Sequence, residues 1–240
     1  MSNILKTQRK DYTKEMETNF FCILRGFINR DTMGKIINKV NYFNEKYEYD
    51  EGKNPYITNN KRRTNSLYSD FGFEKTRMSN WSDEERNNML DKYHNVKREM
   101  CEELNSILLN VFLLLNMKQW RMLGITLMEI YPGSNEQEIH IDMPGKLGPK
   151  NTYRYYLSIP LHDTDIKMGP TIFYKEDGMK EFRKEYDNEQ DEKGIIGNLN
   201  SLKWEIKQIF LSAREQYEYK LGDISIHRDI TYHNGGTNNT

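Results

Sequence analysis

The stretch Met128-Glu-Ile-Tyr-Pro-Gly-Ser-Asn-Glu-Gln-Glu-Ile-His-Ile-Asp-Met-Pro-Gly145 decides how the rest of the chain is read. Within it His140 and Asp142 stand two positions apart. Side chains on an extended segment repeat every second residue, so this imidazole and this carboxylate project from one face. One more imidazole from another strand, for which His233 is the candidate, completes a two-His, one-carboxylate facial triad. Such a triad holds Fe(II) on one face and leaves positions open for a co-substrate and oxygen.

Around that stretch the pattern is one of short strands. Ile125 to Tyr131 is β-like and ends in the turn Pro132-Gly133-Ser134, and Tyr153 to Pro160 and Thr171 to Lys175 are rich in aromatic and β-branched residues. Tyr217 to Lys220, Asp223 to His227 and Ile230 to His233 repeat the rhythm after a charged, partly helical insert at about residues 176–216. Several short strands separated by turn signals predict a sandwich or barrel. The first half reads differently. A short strand is expected over Asn19 to Phe27, then a helix with Asp31 as N-cap and Ile36, Ile37, Val40 and Phe43 on its apolar side. Residues 44–81 lack periodicity and read mostly as loop, with Lys61-Arg62-Arg63 solvated. Ser82 and Glu85 form a capping box for a long helix whose apolar face is Met89, Tyr93, Val96, Met100, Leu104, Ile107 and Val111. The expectation is one α+β domain over residues 1–240, mainly helical to residue 123 and β from 124 onward.

Composition narrows the classes of function. Lys and Arg total 35 against 36 Asp and Glu, a net charge of −1 that argues against nucleic acid or an anionic membrane as partner. Only Cys22 and Cys101 are present, so no disulfide framework is expected. Residues 1–16 lack the apolar core of a signal peptide, and the most apolar stretch, Ile107 to Leu115, is too short to span a bilayer. A soluble cytoplasmic protein is the expectation.

Beyond the spacing of His140 and Asp142, the pattern of motifs resembles the Fe(II)/2-oxoglutarate-dependent dioxygenases, most closely their phytanoyl-CoA dioxygenase-like branch. The resemblance rests on Pro132-Gly133, Gln137, His140 and Asp142, the turn Met168-Gly169-Pro170, and Gly222-Asp223 ten residues ahead of His233, followed by Asn238 and Thr240. It implies a double-stranded β-helix (jelly-roll) core in the C-terminal half with flanking N-terminal helices. It also implies Fe(II) on His140, Asp142 and His233, with 2-oxoglutarate as co-substrate of a hydroxylase. The branch carries an Arg about ten residues past the distal His to pair with the far carboxylate of 2-oxoglutarate, a position beyond Thr240. Tyr131 and Arg154 are the candidates for that task in this sequence. An Arg suits it because its planar fork matches a carboxylate.

Other readings compete. His227-Arg228-Asp229 repeats the H-x-D pattern, which makes His227 the alternative to His233, whereas His94 and His162 read as ordinary polar histidines. His227-Arg228-Asp229 with Asn234 also spells a kinase catalytic loop, but Asp70-Phe71-Gly72 precedes it instead of following it. A jelly-roll binding protein that has lost turnover is the main functional alternative. A cupin-type metal enzyme is a third, though it calls for a denser histidine cluster than these motifs supply.

Overall fold

The computed structural model describes residues 12–46, 61–69, 82–117, 122–142, 154–186 and 194–240. The chain forms two compact units, Met1–Asn29 with Ile130–Thr240, and Arg30–Glu129. The first strand, β1 (Phe21–Leu24), joins the C-terminal unit because it pairs antiparallel with β9 (Ile224–Arg228), almost the whole chain away. No described helix is long and apolar enough to cross a membrane.

The Arg30–Glu129 unit is built on α2 (Arg30–Lys46; α1 is residues 12–19) and α3 (Asp83–Leu114). Met33, Ile36, Val40 and Phe43 are the buried stripe of α2, with Ile37 only half-buried and Asp31 inside the first turn. Ser82 caps α3 through the reciprocal pair with Glu85. Tyr93, Val96, Met100, Leu104, Ile107 and Val111 are buried as the three-and-four spacing requires, and Lys92 and Phe112 are buried beside them. The loop expected over residues 44–81 gives way at β2 (Arg62–Ser69), which pairs with β3 (Gly124–Ile130). The residues of β2 are mostly polar and carry no apolar alternation, so its partner strand, not its propensity, makes it extended. Arg62 is 3% exposed within it, not solvated as the basic run suggests.

In the other unit two antiparallel sheets face one another. The smaller has the order β1–β9–β5, with β5 at Tyr155–Ser158. The larger has the order β7–β4–β10–β6–β8, formed by Ile195–Gly197, Ile139–His140, His233–Gly235, Thr171–Tyr174 and Arg214–Gln216. Phe21 of the small sheet stacks on Phe173 of the large one, ring centroids 4.7 Å apart, and Ile23 and Tyr219 join them in the layer between. The outer face of the large sheet (Ile139, Ile172, Tyr174) packs against α4 (Glu176–Tyr186) and α5 (Trp204–Ala213) through Met179, Phe182 and Phe210. The described parts of the charged region 176–216 therefore belong to the core. Its helices bury an apolar stripe behind the sheet, and its strands β7 and β8 form both edges of that sheet.

Gly222-Asp223 closes the small sheet. Gly222 has φ +97°, and a Cβ there would lie 2.4 Å from the Ile28 carbonyl oxygen, so only glycine fits. Asp223 is buried, and its carboxylate accepts from the Gly26 amide at 2.7 Å, the Lys220 amide at 2.9 Å and the Arg25 guanidinium at 2.7 Å. Burial pushes its pKa up, but the two amides and Arg25 outweigh that and hold the carboxyl below the usual range. A carboxyl whose folded pKa lies below its unfolded value of about 3.9 stabilises the fold above that pH and ceases to as pH falls through the acid range. Asp223→Ala should lose about 2 kcal/mol in urea unfolding at neutral pH. The gap to wild type should shrink below about pH 4; a gap independent of pH would show that the carboxylate charge plays no part.

Candidate metal centre

Strand register brings the motif residues together. His233 of β10 lies opposite His140 of β4 and, on its other side, opposite Phe173 of β6. All three side chains therefore share the inner face of the large sheet, while Ile139 and Ile141, on either side of His140, belong to the outer cluster. Asp142 follows two positions after His140 and returns to the inner side, as the two-residue period requires. Among the described residues the set whose ligand atoms all lie within 4.8 Å of one another is His140, Asp142 and His233.

Both imidazoles are oriented by the backbone. His140 Nδ1 donates to the Glu138 carbonyl at 2.7 Å, and His233 Nδ1 donates to the Thr231 carbonyl at 2.9 Å. A carbonyl only accepts, so the proton sits on Nδ1 and each Nε2 keeps a lone pair for a metal, the arrangement found behind metal-binding histidines. The two rings are 4.5 Å apart, and His233 Nε2 lies 3.6 Å from Asp142 Oδ2. Burial drives the His233 pKa down to about 3, with His227 and His140 adding to the shift and Asp142 opposing it, so the ring is neutral at physiological pH. For Asp142 burial pulls upward, yet the His227 hydrogen bond and the surrounding imidazoles leave its carboxyl below the usual range. A neutral His233 and an ionised Asp142, with His140 oriented beside them, supply the donor chemistry of a divalent metal centre.

His227 enters the site from the facing sheet. It pairs with Phe21 and Tyr156 across β9, its ring is 4.6 Å from that of His233, and Tyr156 stacks on it at 5.2 Å. It stands outside the ligand set but hydrogen-bonds Asp142 Oδ2 through Nε2 at 3.1 Å. His227 and His233 are thus not alternatives for one position, because the fold uses both. The signal was the parity of β9, which turns residues 225, 227 and 229 to one face, but its inward direction is fixed only by Phe21 and Tyr156.

The remaining motif residues brace this geometry from behind. Gln137 exchanges hydrogen bonds with Gly235, its amide giving to the Gly235 carbonyl and its side-chain oxygen accepting from the Gly235 amide, both at 2.9 Å. Asn234 is fully buried between Tyr174, Glu136 and the Gln137 carbonyl. Asn238 ties the chain end to the Pro132-Gly133 turn, since its carbonyl accepts from Gly133 and its amide donates to Ser134. Gly169 sits at φ +76°, where a Cβ would lie 2.5 Å from the Gly236 carbonyl.

Of the two candidates for a carboxylate partner, Tyr131 is 44% exposed at its turn. Arg154 precedes β5 two positions before Tyr156, on the same face, and its carbonyl accepts from the Asp229 amide at 3.1 Å. Its charge is felt by Tyr156, which also feels Asp142, so the guanidinium belongs to the surroundings of the site. His162 and His94 are exposed and lie outside the ligand set.

No protein-family model matches the chain, and no curated protein matches it in sequence. Solved structures do match. The non-haem 2-oxoglutarate-dependent carbocyclase SnoK from nogalamycin biosynthesis superposes with a TM-score of 0.60 at 10% identity, over 96% of this chain and 78% of its own. AviO1 from Streptomyces viridochromogenes gives 0.53 at 12% identity, over 97% and 89%. HygX from Streptomyces hygroscopicus, solved with nickel and 2-oxoglutarate bound, gives 0.51 at 11%, over 96% and 81%. The chain shares the fold of non-haem 2-oxoglutarate-dependent enzymes. At these identities the likeness is one of fold, and the centre must be judged on its own residues.

His140→Ala, Asp142→Ala and His233→Ala should each abolish binding of Fe(II) measured by anaerobic calorimetry, with the circular dichroism of the wild type retained. Wild-type affinity in Asp142→Ala would remove the carboxylate from the centre.

Proposed function

We propose that this chain is an Fe(II)- and 2-oxoglutarate-dependent dioxygenase that hydroxylates its substrate, built on a double-stranded β-helix, with His140, Asp142 and His233 as metal ligands. The observation that carries the reading is the convergence of two backbone-oriented Nε2 atoms and one carboxylate between the sheets. The donor set suits the ion, since three protein ligands on one face leave room for a bidentate co-substrate and oxygen. Iron bound there with 2-oxoglutarate and O2 supplies oxidation of an unactivated C–H bond, the co-substrate leaving as succinate and CO2.

The chain's own part is to hold and to exclude. His140 and His233 offer neutral lone pairs, and Asp142 offers the negative charge that offsets part of the metal's. Phe21, Phe173 and the Tyr156 ring wall the inner side, which keeps water from a site where an oxidant is generated. Arg154 is the residue we assign to the far carboxylate of 2-oxoglutarate. It shares a face with Tyr156 and His227, and a guanidinium fork binds a carboxylate through two parallel hydrogen bonds. The motif pattern that resembles the phytanoyl-CoA dioxygenase-like branch supports His140, Asp142 and His233 as the ligands, although that branch places its carboxylate-binding Arg elsewhere. A binding protein without turnover has no need to keep two oriented imidazoles beside a half-buried carboxylate, so the enzyme reading is preferred.

Anaerobic titration of Fe(II) with 2-oxoglutarate should produce the weak visible charge-transfer band of the chelate, and His140→Ala should lack it. Iron binding without the band would leave a metal protein that does not use 2-oxoglutarate. Arg154→Gln should raise the Kd for 2-oxoglutarate about 10–100-fold, the loss of a charge-assisted bidentate pair worth about 1.5–3 kcal/mol. Fe(II) affinity should stay unchanged. An unchanged 2-oxoglutarate Kd would move the role to another group, Tyr131 first.

A further inference from the structure

The inner face of the small sheet carries a histidine that the proposed metal ligation does not use. His227 is 5% exposed, lies flat against Tyr156, and points Nε2 at Asp142 Oδ2 from 3.1 Å. The two ligand histidines and His227 differ in how the backbone treats them. Nδ1 of His140 and of His233 donates to a carbonyl two residues earlier, which frees Nε2 as a lone pair. Nδ1 of His227 is buried with no hydrogen-bond partner. An ionised carboxylate only accepts, so the contact at Nε2 requires a proton on Nε2 and leaves Nδ1 as the bare acceptor. The opposite tautomer would set the Nε2 lone pair against the Asp142 oxygen and strand a donor at Nδ1 as well, two penalties where the observed arrangement has one. His227 is therefore presented to the centre as a donor, and His140 and His233 as acceptors.

We infer that His227 is a positioning residue. Its Nε2–H holds Asp142 in the rotamer that faces the two ligand imidazoles, so that the carboxylate is set before a metal arrives. This rests on the reading of His140, Asp142 and His233 as a metal centre. The reason for such a brace is local. Asp142 lies beyond the end of β4, where the ladder with β10 has already finished, and among the described residues no strand pairing fixes its side chain. Partners behind ligating carboxylates commonly govern metal affinity by 10–100-fold. Placing the brace on the facing sheet also couples the two sheets at the centre, because β9 supplies the donor while β4, β10 and the residue just past β4 supply the ligands.

The test uses Co(II), whose visible bands report the ligand set, in the full-length protein and three variants. His227→Phe keeps the stack on Tyr156 and removes the donor. His227→Gln restores it, because the glutamine amide nitrogen reaches about as far from the backbone as an imidazole Nε2. His140→Ala is the control for a lost ligand. We expect His227→Phe to weaken Co(II) binding about 10–100-fold while its saturated spectrum keeps the wild-type band positions. His227→Gln should recover most of the affinity. The metal-free His227→Phe protein should keep the circular dichroism of the wild type, so that a weaker Co(II) site is not a sign of a lost fold. Wild-type affinity in His227→Phe overturns the positioning role and leaves the centre standing. A loss of both affinity and bands in His227→Phe and His227→Gln alike, as in His140→Ala, overturns it in the other direction by making His227 a ligand. Failure of the wild-type protein itself to bind Co(II) overturns the metal centre, and the role of His227 with it.

Discussion

A slip of one residue between β4 and β10 would turn His140 away from His233 and into the apolar layer beneath α4 and α5. Strand side chains alternate with a period of two, so register decides which face every residue in the pair occupies. Here the register places His140, His233 and Phe173 in one row on the inner face, and Ile139, Ile172 and Asn234 in the row behind. The proposed metal centre and the outer core are two sides of the same few hydrogen bonds. Neither can be moved without moving the other.

That register is held from outside the row. Asn234, next to His233 and on the opposite face, accepts from Tyr174 and donates to Glu136 and to the Gln137 carbonyl, all at about 3 Å. Gln137 pins the segment before β4 to Gly235 twice. Arg214 at the sheet edge meets Glu136 at 3.1 Å and closes the set. These groups are buried or half-buried, and a polar network of this kind stabilises a structure only when its members are satisfied together. Its geometry admits one pairing of β4 with β10. The Pro132-Gly133 turn and the Gly169-Pro170 turn are fastened to Asn238 and Gly236 in the same way, so the short β10 is clasped at both sides and along its exit.

The electrostatics of the centre follow from its enclosure. Three histidines and one carboxylate converge in a place that burial makes hostile to unpaired charge. His233 stays neutral, and Asp142 stays ionised because hydrogen bonding and the imidazoles around it overcome desolvation. The result is a half-buried negative group beside oriented imidazole nitrogens, a combination that a divalent cation satisfies well. The denser histidine cluster that a cupin-like reading calls for is present in part, since His227 joins the other two. Its role differs, however, because its Nε2 faces the carboxylate oxygen and its Nδ1 has no backbone carbonyl to orient it.

Several parts of this protein were legible in the sequence because their causes are local. The capping box at Ser82 and Glu85, the stripe of α3 from Tyr93 to Val111, and the common face of His140 and Asp142 depend on residues within one or two turns of chain and appear as read, with Met89 at the head of the stripe only half-buried. The choice of His233 rests on the family resemblance, through its spacing to Gly222-Asp223, and the structure sets that residue opposite His140. Tertiary structure decided the rest. Residues 62–69 are a strand because β3 lies beside them, although their side chains carry no alternating pattern. The charged region 176–216 covers the outer face of the sheet because its sparse apolar residues, Met179, Phe182 and Phe210, find Tyr174 and Tyr232 there. The separation of His227 from His233 as donor and acceptor was also out of reach, since sequence shows two histidines six positions apart and nothing about which nitrogen meets a carbonyl. Periodicity along a chain reports which residues share a face; only the pairing of distant strands determines what that face meets.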